Sequence, residues 1–181
     1  WLRTAPGFSL TDTTATRPDG AAIPLDPTQP LLTLGRLVQE DLCLMERQGE
    51  EYVLTGGILC FPASWSLTQK MGRPMTSIHD PVPVYDADVA KRVARLFDAI
   101  RPEQPLWRMN YLTYDDFVLH QPRAEGEKRP RPTDHVFIRC ERQCLSRLPV
   151  SRAVVFSIHT YVVGAGSVTP DQLAALRAAV H

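Results

Sequence analysis

The stretch that decides the fold is the alternating segment His135-Val136-Phe137-Ile138-Arg139-Cys140-Glu141-Arg142-Gln143-Cys144-Leu145. Its side chains point to opposite sides at period two, which predicts a β-strand with Arg139 and Glu141 on one face. A turn-forming segment, 147–152, separates this strand from a second alternating run at 153–163. Two such runs favour an antiparallel β-hairpin.

Working outward from the hairpin, the sequence predicts three earlier strands, at 52–54, 58–61 and 106–112, with Thr55-Gly56-Gly57 as the turn between the first two. Helical spacing predicts helices at 31–49, 64–72, 86–100 and 169–180. Asp86 is the expected N-cap of the third helix, and Ser66 with Gln69 a capping box for the second. Strands in adjacent pairs, with helices concentrated between the second and third, predict an α+β fold with an antiparallel sheet.

The chain of 181 residues suits one domain. We expect residues 1–30, which are rich in proline and threonine, to form an extended N-terminal arm, and residues 31–181 to form the single domain. Residues 121–134 have no apolar periodicity and are expected to form a long mobile loop.

Charge and composition exclude several classes of protein. Twenty basic residues balance twenty acidic ones, which argues against a partner nucleic acid. No apolar run reaches the roughly 20 residues of a membrane span, so we expect no membrane partner. Four cysteines without zinc-ribbon spacing suggest reduced thiols in a cytoplasmic protein. The chain opens on Trp1, so a targeting signal ahead of it is left open.

One stretch has the character of a ligand site: Ile78-His79-Asp80-Pro81-Val82-Pro83-Val84-Tyr85-Asp86. Pro81 and Pro83 would stiffen the backbone around His79, whose imidazole is a common metal ligand. A surface histidine or a helix cap is the alternative.

None of the five histidines forms the His-x-x-x-His pair of a helical metal site. A haem, in contrast, needs only one histidine, together with an apolar slot and cationic groups. The apolar strand faces with Trp107, Arg108 and Arg139 could supply these.

The spacing of Arg139 and Glu141 has two interpretations. The pair is either a solvated ion-pair ladder or a buried pair beside a cofactor, where the carboxylate could hold a cationic amine.

Five ordered motifs between about residues 50 and 162 resemble the haem-dependent oxidative N-demethylase family. They are the runs 59–72, Ile78-His79-Asp80-Pro81-Val82-Pro83 with Tyr85, Trp107-Arg108-Met109-Asn110, Arg139-Cys140-Glu141-Arg142-Gln143 with 145–149, and Phe156-Ser157-Ile158-His159-Thr160-Tyr161. The chain departs from the family pattern at Tyr111, Cys144 and His159.

The resemblance implies a PAS-like haem-binding domain: an antiparallel five-stranded sheet with helices inserted between strands 2 and 3, holding haem b. It also implies a monooxygenase that uses O2 to demethylate a small secondary amine such as dimethylamine. Electrons would come from a reductase partner, a subunit or domain that carries FMN and an iron–sulfur cluster and uses NADPH.

Residue by residue, the resemblance makes His79 the axial iron ligand. Trp107, Arg108 and Asn110 are then expected to contact the haem, and Arg139 and Glu141 to take part in catalysis on its distal side. Two alternatives stay open: a non-catalytic haem-PAS sensor of gas or redox state, and a cofactor-free binding module.

Overall fold

A computed structural model describes residue 3 and residues 5–80 and 85–178. It begins with a small antiparallel sheet of three strands, β1 (Ser9–Leu10), β2 (Thr14–Thr16) and β3 (Ala22–Pro24). The segment predicted as an extended arm therefore has a sheet of its own. Arg17 anchors it by donating a hydrogen bond of 2.9 Å to the carbonyl of Arg36.

The helix predicted at 31–49 is wrong beyond its first half. The structure has helix α1 (Pro30–Leu37) followed by strand β4 (Asp41–Gln48). In β4 the side chains of Asp41, Cys43 and Met45 are buried at period two. Apolar residues in this region fit both periods, and the sheet decides in favour of the strand.

The predicted turn at Gly56 and Gly57 is also wrong, because both glycines lie inside one strand, β5 (Glu51–Ile58). The turn before β5 is made by Gly49, at φ 64°. Gly57 serves close packing: a Cβ there would come 3.1 Å from the carbonyl oxygen of Leu42 and equally close to Leu67.

Three helices follow β5 in the chain: α2 (Leu67–Lys70), α3 (Met75–His79) and α4 (Ala87–Ala99). The predicted cap of α4 is confirmed, because Asp86 accepts hydrogen bonds from the backbone N–H groups of Asp88 and Val89 at 3.0 and 2.8 Å. The predicted capping box of α2 is wrong: the Ser66 hydroxyl makes no cap and contacts Thr68. Pro81 and Pro83 lie outside the described residues.

The chain ends with strands β6 (Leu106–Tyr114), β7 (Phe137–Arg147) and β8 (Val154–Gly164), a 3-10 helix (Ala165–Ser167) and helix α5 (Pro170–Ala178). The predicted hairpin is confirmed as β7 and β8, paired from Arg147 with Val154 to Phe137 with Gly164. The five long strands form one antiparallel sheet in the order β5-β4-β8-β7-β6. The α+β class is confirmed.

The core lies on one side of this sheet, which we call the inner face. There α4 contributes Phe97 and Ile100 to a cluster with the strand residues Cys43, Met45, Tyr52, Leu54 and Val154. Burying an aliphatic or aromatic side chain of this kind contributes about 1.5–3 kcal/mol. Helices α1 and α5 lie on the outer face, where the Tyr111 hydroxyl donates to the carbonyl of Leu176 at 2.8 Å.

Arg147 fixes the end of α4 to the sheet. Its buried guanidinium donates to the carbonyls of Ile100 at 2.7 Å and Phe97, and to the Tyr52 hydroxyl at 3.1 Å. The Phe97 carbonyl also accepts from the N–H of Ile100 at 3.3 Å, whereas the carbonyl of Ile100, the C-cap residue, lies beyond the intrahelical hydrogen bonds. These hydrogen bonds of Arg147 fix the C-terminal end of α4 against the sheet.

Candidate functional site

His79 is the last residue of α3 and is half-buried. Its Nδ1 lies 2.8 Å from the carbonyl oxygen of Met75, one turn earlier. A carbonyl only accepts, so Nδ1 carries a proton, and in the neutral imidazole Nε2 then has the lone pair. Within residues 5–80 and 85–178, Nε2 has no hydrogen-bond partner. This is the tautomer of a histidine that binds a metal through Nε2.

Tyr85 covers one face of that imidazole. The two rings are stacked with centroids 4.3 Å apart and planes at 17°. Burial raises the pKa of the Tyr85 hydroxyl, and the charge of Glu51 adds to the effect. Tyr85 also lines a cavity of about 270 Å³ between α3 and α4, with Met75 and Phe97. The imidazole is therefore held both by a hydrogen bond and by ring packing.

Lys70 stabilises the C-terminal end of α3, where His79 lies. Lys70 is only 9% exposed, and its ammonium donates to the Ile78 carbonyl at 2.7 Å and to Glu125 at 2.8 Å. Arg73 reaches the second oxygen of Glu125 at 3.1 Å, and the hydrogen bond from Lys70 is the largest cause that lowers the pKa of Glu125. The 121–134 loop, predicted to be mobile, is thus tied to the helix that carries His79.

A row of polar side chains runs along the inner face of β6 and β7. Arg108 lies opposite Gln143, and Asn110 lies opposite Glu141. Arg108 donates through Nε to Gln143 at 2.9 Å, and Gln143 donates to Glu141 at 3.1 Å. Asn110 reaches the same Glu141 oxygen at 3.5 Å. The structure therefore brings three of the predicted site residues into one hydrogen-bonded row.

Two groups in this row, among the described residues, have hydrogen-bonding atoms that are not used within the protein. The terminal nitrogens of Arg108 make no hydrogen bond there, and Oε1 of Glu141 has only Arg139 Nε, 3.9 Å away. A guanidinium with free terminal nitrogens can bind a carboxylate, and a carboxylate oxygen can accept from an ammonium. The row can therefore bind an anionic group at one end and a cationic group at the other.

Arg139 extends the row but is occupied by the protein itself. It is 2% exposed, and it donates to the carbonyls of Leu119 at 2.9 Å and Phe61 at 2.8 Å. Its guanidinium joins the segments that follow β5 and β6. The structure thus gives Arg139 a bracing position beside Glu141.

Asp41 is a neighbour that sequence reasoning missed. It is 1% exposed and accepts from the backbone N–H groups of Cys60 at 2.6 Å and Phe61 at 2.8 Å. Burial raises its pKa, and the charge of Glu141 adds to the effect. An acidic residue at a buried strand position could have indicated that its carboxylate accepts hydrogen bonds from the protein.

Trp107 does not join the row. It lies opposite Cys144 on the outer face of the sheet and is 69% exposed. Successive strand residues point to opposite faces, so the side chains of Trp107 and Arg108 lie on different sides of β6.

Apolar side chains adjoin both His79 and the polar row. Half-buried residues packed against the core include Ile78, next to His79, and Leu145 and Phe156, which face each other on β7 and β8. Leu145 shares the inner face with Gln143. An apolar surface, a free guanidinium and a histidine with a free Nε2 are the groups that haem, a large flat group with anionic substituents, requires. Among the described residues, no hydrogen bond, ion pair or ring contact joins His79 to the polar row.

Comparison with known protein families points to the same cofactor. A sequence model of the family described as haem-dependent oxidative N-demethylase, alpha subunit-like, matches residues 7–180, nearly the whole chain. The match confirms the resemblance found in the motifs. In the part of the chain that the structure describes, no helix has the length and apolar character to span a membrane.

Proposed function

Because this chain belongs to the haem-dependent oxidative N-demethylase, alpha subunit-like, family, we propose that it binds haem b through His79 and demethylates a small secondary amine such as dimethylamine. Bound haem would supply the activation of O2. With an electron pair and a pair of protons, the reaction gives the amine with one methyl group fewer, formaldehyde and water. The family name indicates an oxidoreductase; the substrate is our proposal.

The observation that carries the proposal is the state of His79. Its Nδ1 proton is held by Met75 at 2.8 Å, and its ring is stacked on Tyr85 at 4.3 Å. Both contacts orient Nε2 without occupying it. Histidines that bind metals usually have such a partner on the other ring nitrogen.

The inner-face row gives the chain's own residues distinct roles. Arg108 would bind a haem propionate through its free terminal nitrogens, with Asn110 beside it. Glu141 would orient the substrate by accepting a hydrogen bond from its ammonium at Oε1. Arg139 stabilises the charge of Glu141 from 3.9 Å and holds the flanking segments closed. Trp107, on the outer face, is left out of this assignment.

The order of the elements supports a PAS-like domain. Numbered within the large sheet, the strands lie in the order 2-1-5-4-3, and α2, α3 and α4 come between the second and third. His79 ends the second of these helices. In this proposal the helices hold the iron ligand and the sheet holds the polar groups.

The electrons would come from a partner. The family description, alpha subunit, implies a further subunit, and we propose that it is a reductase carrying NADPH, FMN and an iron–sulfur cluster. The sequence has no Gly-x-Gly-x-x-Gly motif for binding a dinucleotide. Four free cysteines are compatible with a reducing, cytoplasmic compartment.

Haem binding is tested first, by titrating the purified protein with haemin and recording the Soret band. We expect His79→Ala to abolish the band or shift it strongly. His120→Ala is the matched control, because His120 also places Nδ1 near a backbone carbonyl, that of Cys60 at 3.0 Å, but is exposed. An unchanged spectrum in His79→Ala would overturn the ligand assignment.

Catalysis is tested separately, by measuring formaldehyde released from dimethylamine with O2 and a reductant. We expect turnover by the haem-loaded protein and a large loss in Glu141→Gln with haem binding retained. A haem-loaded protein that turns over none of a panel of small methylated amines would instead favour the sensor.

A further inference from the structure

Strand β6 forms an open edge of the large sheet. It is the last strand in the order β5-β4-β8-β7-β6 and pairs only with β7 in the described structure. Its nine residues include no proline or glycine, and residues 106–110 are all exposed. A long regular edge of this kind is a template for a further strand.

The hydrogen bonds of the sheet reveal which β6 residues point outward. Ala165 donates to the Val136 carbonyl at 2.8 Å, and Leu148 donates to the Ala153 carbonyl at 2.9 Å. These bonds fix the alternation, so that even-numbered β7 residues bond to β8 and odd-numbered ones to β6. Odd-numbered β7 residues lie opposite even-numbered β6 residues. The outward groups therefore belong to Trp107, Met109, Tyr111 and Thr113.

One of these four positions is already covered. The Arg129 guanidinium donates to the Thr113 carbonyl, which independently confirms that Thr113 faces outward. Its side chain stacks over the Tyr114 ring at 3.6 Å and closes that end of the edge. The open row is then Trp107, Met109 and Tyr111, and it is symmetric about Met109.

We propose that β6 pairs antiparallel with β6 of a second copy of this chain, with the two Met109 residues on the twofold axis. Trp107 of each copy then lies opposite Tyr111 of the other, and all three pairs are hydrogen-bonded pairs of the ladder. The two sheets join into one continuous sheet. This inference does not depend on haem binding or on the proposed reaction.

The side chains suit a second copy in this register. Arg108, the only charged residue of β6, lies opposite the neutral Asn110, so no like charges meet. Leu106 lies opposite Leu112, and Trp107 opposite Tyr111. The exposed apolar side chains include Trp107 at 69% and Met109 at 52%. A second copy presents the same three open positions, so that in this register each open N–H and carbonyl of one strand meets its counterpart on the other.

Disulfide cross-linking tests the register. In Met109→Cys the two new thiols would be carried by directly opposite residues, about 5.5 Å apart at Cα, within disulfide range. Cys144 lies opposite Trp107 and Cys140 lies opposite Tyr111, so both native cysteines are first replaced by alanine in every variant used for cross-linking. In this background the two thiols of Trp107→Cys would lie about 13 Å apart along the ladder and stay free. Trp107→Cys is a stringent control, because position 107 is the more exposed.

We expect the wild type to sediment as a dimer. In the background without Cys140 and Cys144, we expect Met109→Cys to form a covalent dimer on mild oxidation at least 10-fold faster than Trp107→Cys or the background protein. A mixture of Trp107→Cys and Tyr111→Cys in this background should cross-link as a heterodimer. Met109→Pro removes an outward N–H without breaking a β6–β7 bond, and should give a folded monomer by melting and sedimentation. A monomeric wild type at 100 µM or equal cross-linking at 107 and 109 would overturn the proposal. If Met109→Pro fails to fold, the cross-linking pattern decides.

Discussion

Lys70 and Ile78 are joined by a hydrogen bond of 2.7 Å from ammonium to carbonyl, at the residue immediately before His79. The ammonium also holds Glu125 at 2.8 Å. A cation that is almost fully buried needs such partners, because unpaired burial is costly. The end of α3 and the 121–134 loop are thus linked through a single side chain.

Replacing Lys70 should weaken haem binding, although Lys70 itself is not among the residues proposed to contact haem. In Lys70→Met the Ile78 carbonyl loses its donor, and His79 is held by Met75 and Tyr85 alone. We expect haem affinity to fall about 10-fold, the lower end of the range for lost outer-shell contacts. Haemin titration measures this, with resonance Raman of the iron–histidine stretch as a second readout. Lys128→Met, at an exposed loop position, should change neither.

Glu125 should make the stability of the protein depend on acid pH. Its folded-state pKa is held below the ordinary value, chiefly by Lys70. The stabilisation it gives is therefore fully present above the ordinary glutamate pKa and is lost as pH falls through the lowered folded value. Melting curves from pH 7 to pH 3 should show wild type more stable than Glu125→Gln at the top of this range. A gap of constant size down to pH 3 would contradict the prediction.

Arg147 should be a major determinant of stability. Arg147→Met would remove a buried donor from the carbonyls of Ile100 and Phe97 and from the Tyr52 hydroxyl. We expect the free energy of unfolding to fall by about 3 kcal/mol, measured by urea denaturation. Arg95→Met, on the exposed side of α4, should change it by less than about 0.5 kcal/mol.

Replacing Arg108 should weaken haem binding and replacing Trp107 should not, although the two residues are neighbours in the chain. Arg108→Met removes the free guanidinium from the inner face, and we expect haem to bind several-fold more weakly. Trp107→Ala alters only the outer face and should leave haem affinity unchanged. The same haemin titration compares the two, and weaker binding in Trp107→Ala would contradict the placement of haem on the inner face.

The sequence predicted the elements whose signals are local. Asp86 caps α4 because an aspartate before an amphipathic run bonds its own first turn, and the β7–β8 hairpin follows from two alternating runs joined by a short turn. Gly56 and Gly57 misled the prediction, since a glycine pair marks a turn and a close backbone approach equally well. Only the neighbour, here Leu42, decides between them.

The site was predictable in part for the same reason. His79 and the polar strand residues stood in recognisable motifs, and alternation along β6 separates Trp107 from Arg108. Lys70 and Glu125 are 55 positions apart, and nothing local in the loop indicates that one of its carboxylates reaches back to α2. Such a contact exists only once the sheet has brought β6 and the helices together.

The 121–134 loop and the residues before it are held to the rest of the protein by contacts of different chemical character. Just before the loop, the guanidinium of Arg139 donates to the carbonyl of Leu119, and inside the loop Arg129 donates to the carbonyl of Thr113. Lys70 and Arg73, in contrast, hold the carboxylate of Glu125, which acid neutralises. Acid would therefore remove the attraction at the Glu125 side chain while the contacts of Arg139 and Arg129 persist. The loop would then loosen first beside the backbone that carries His79.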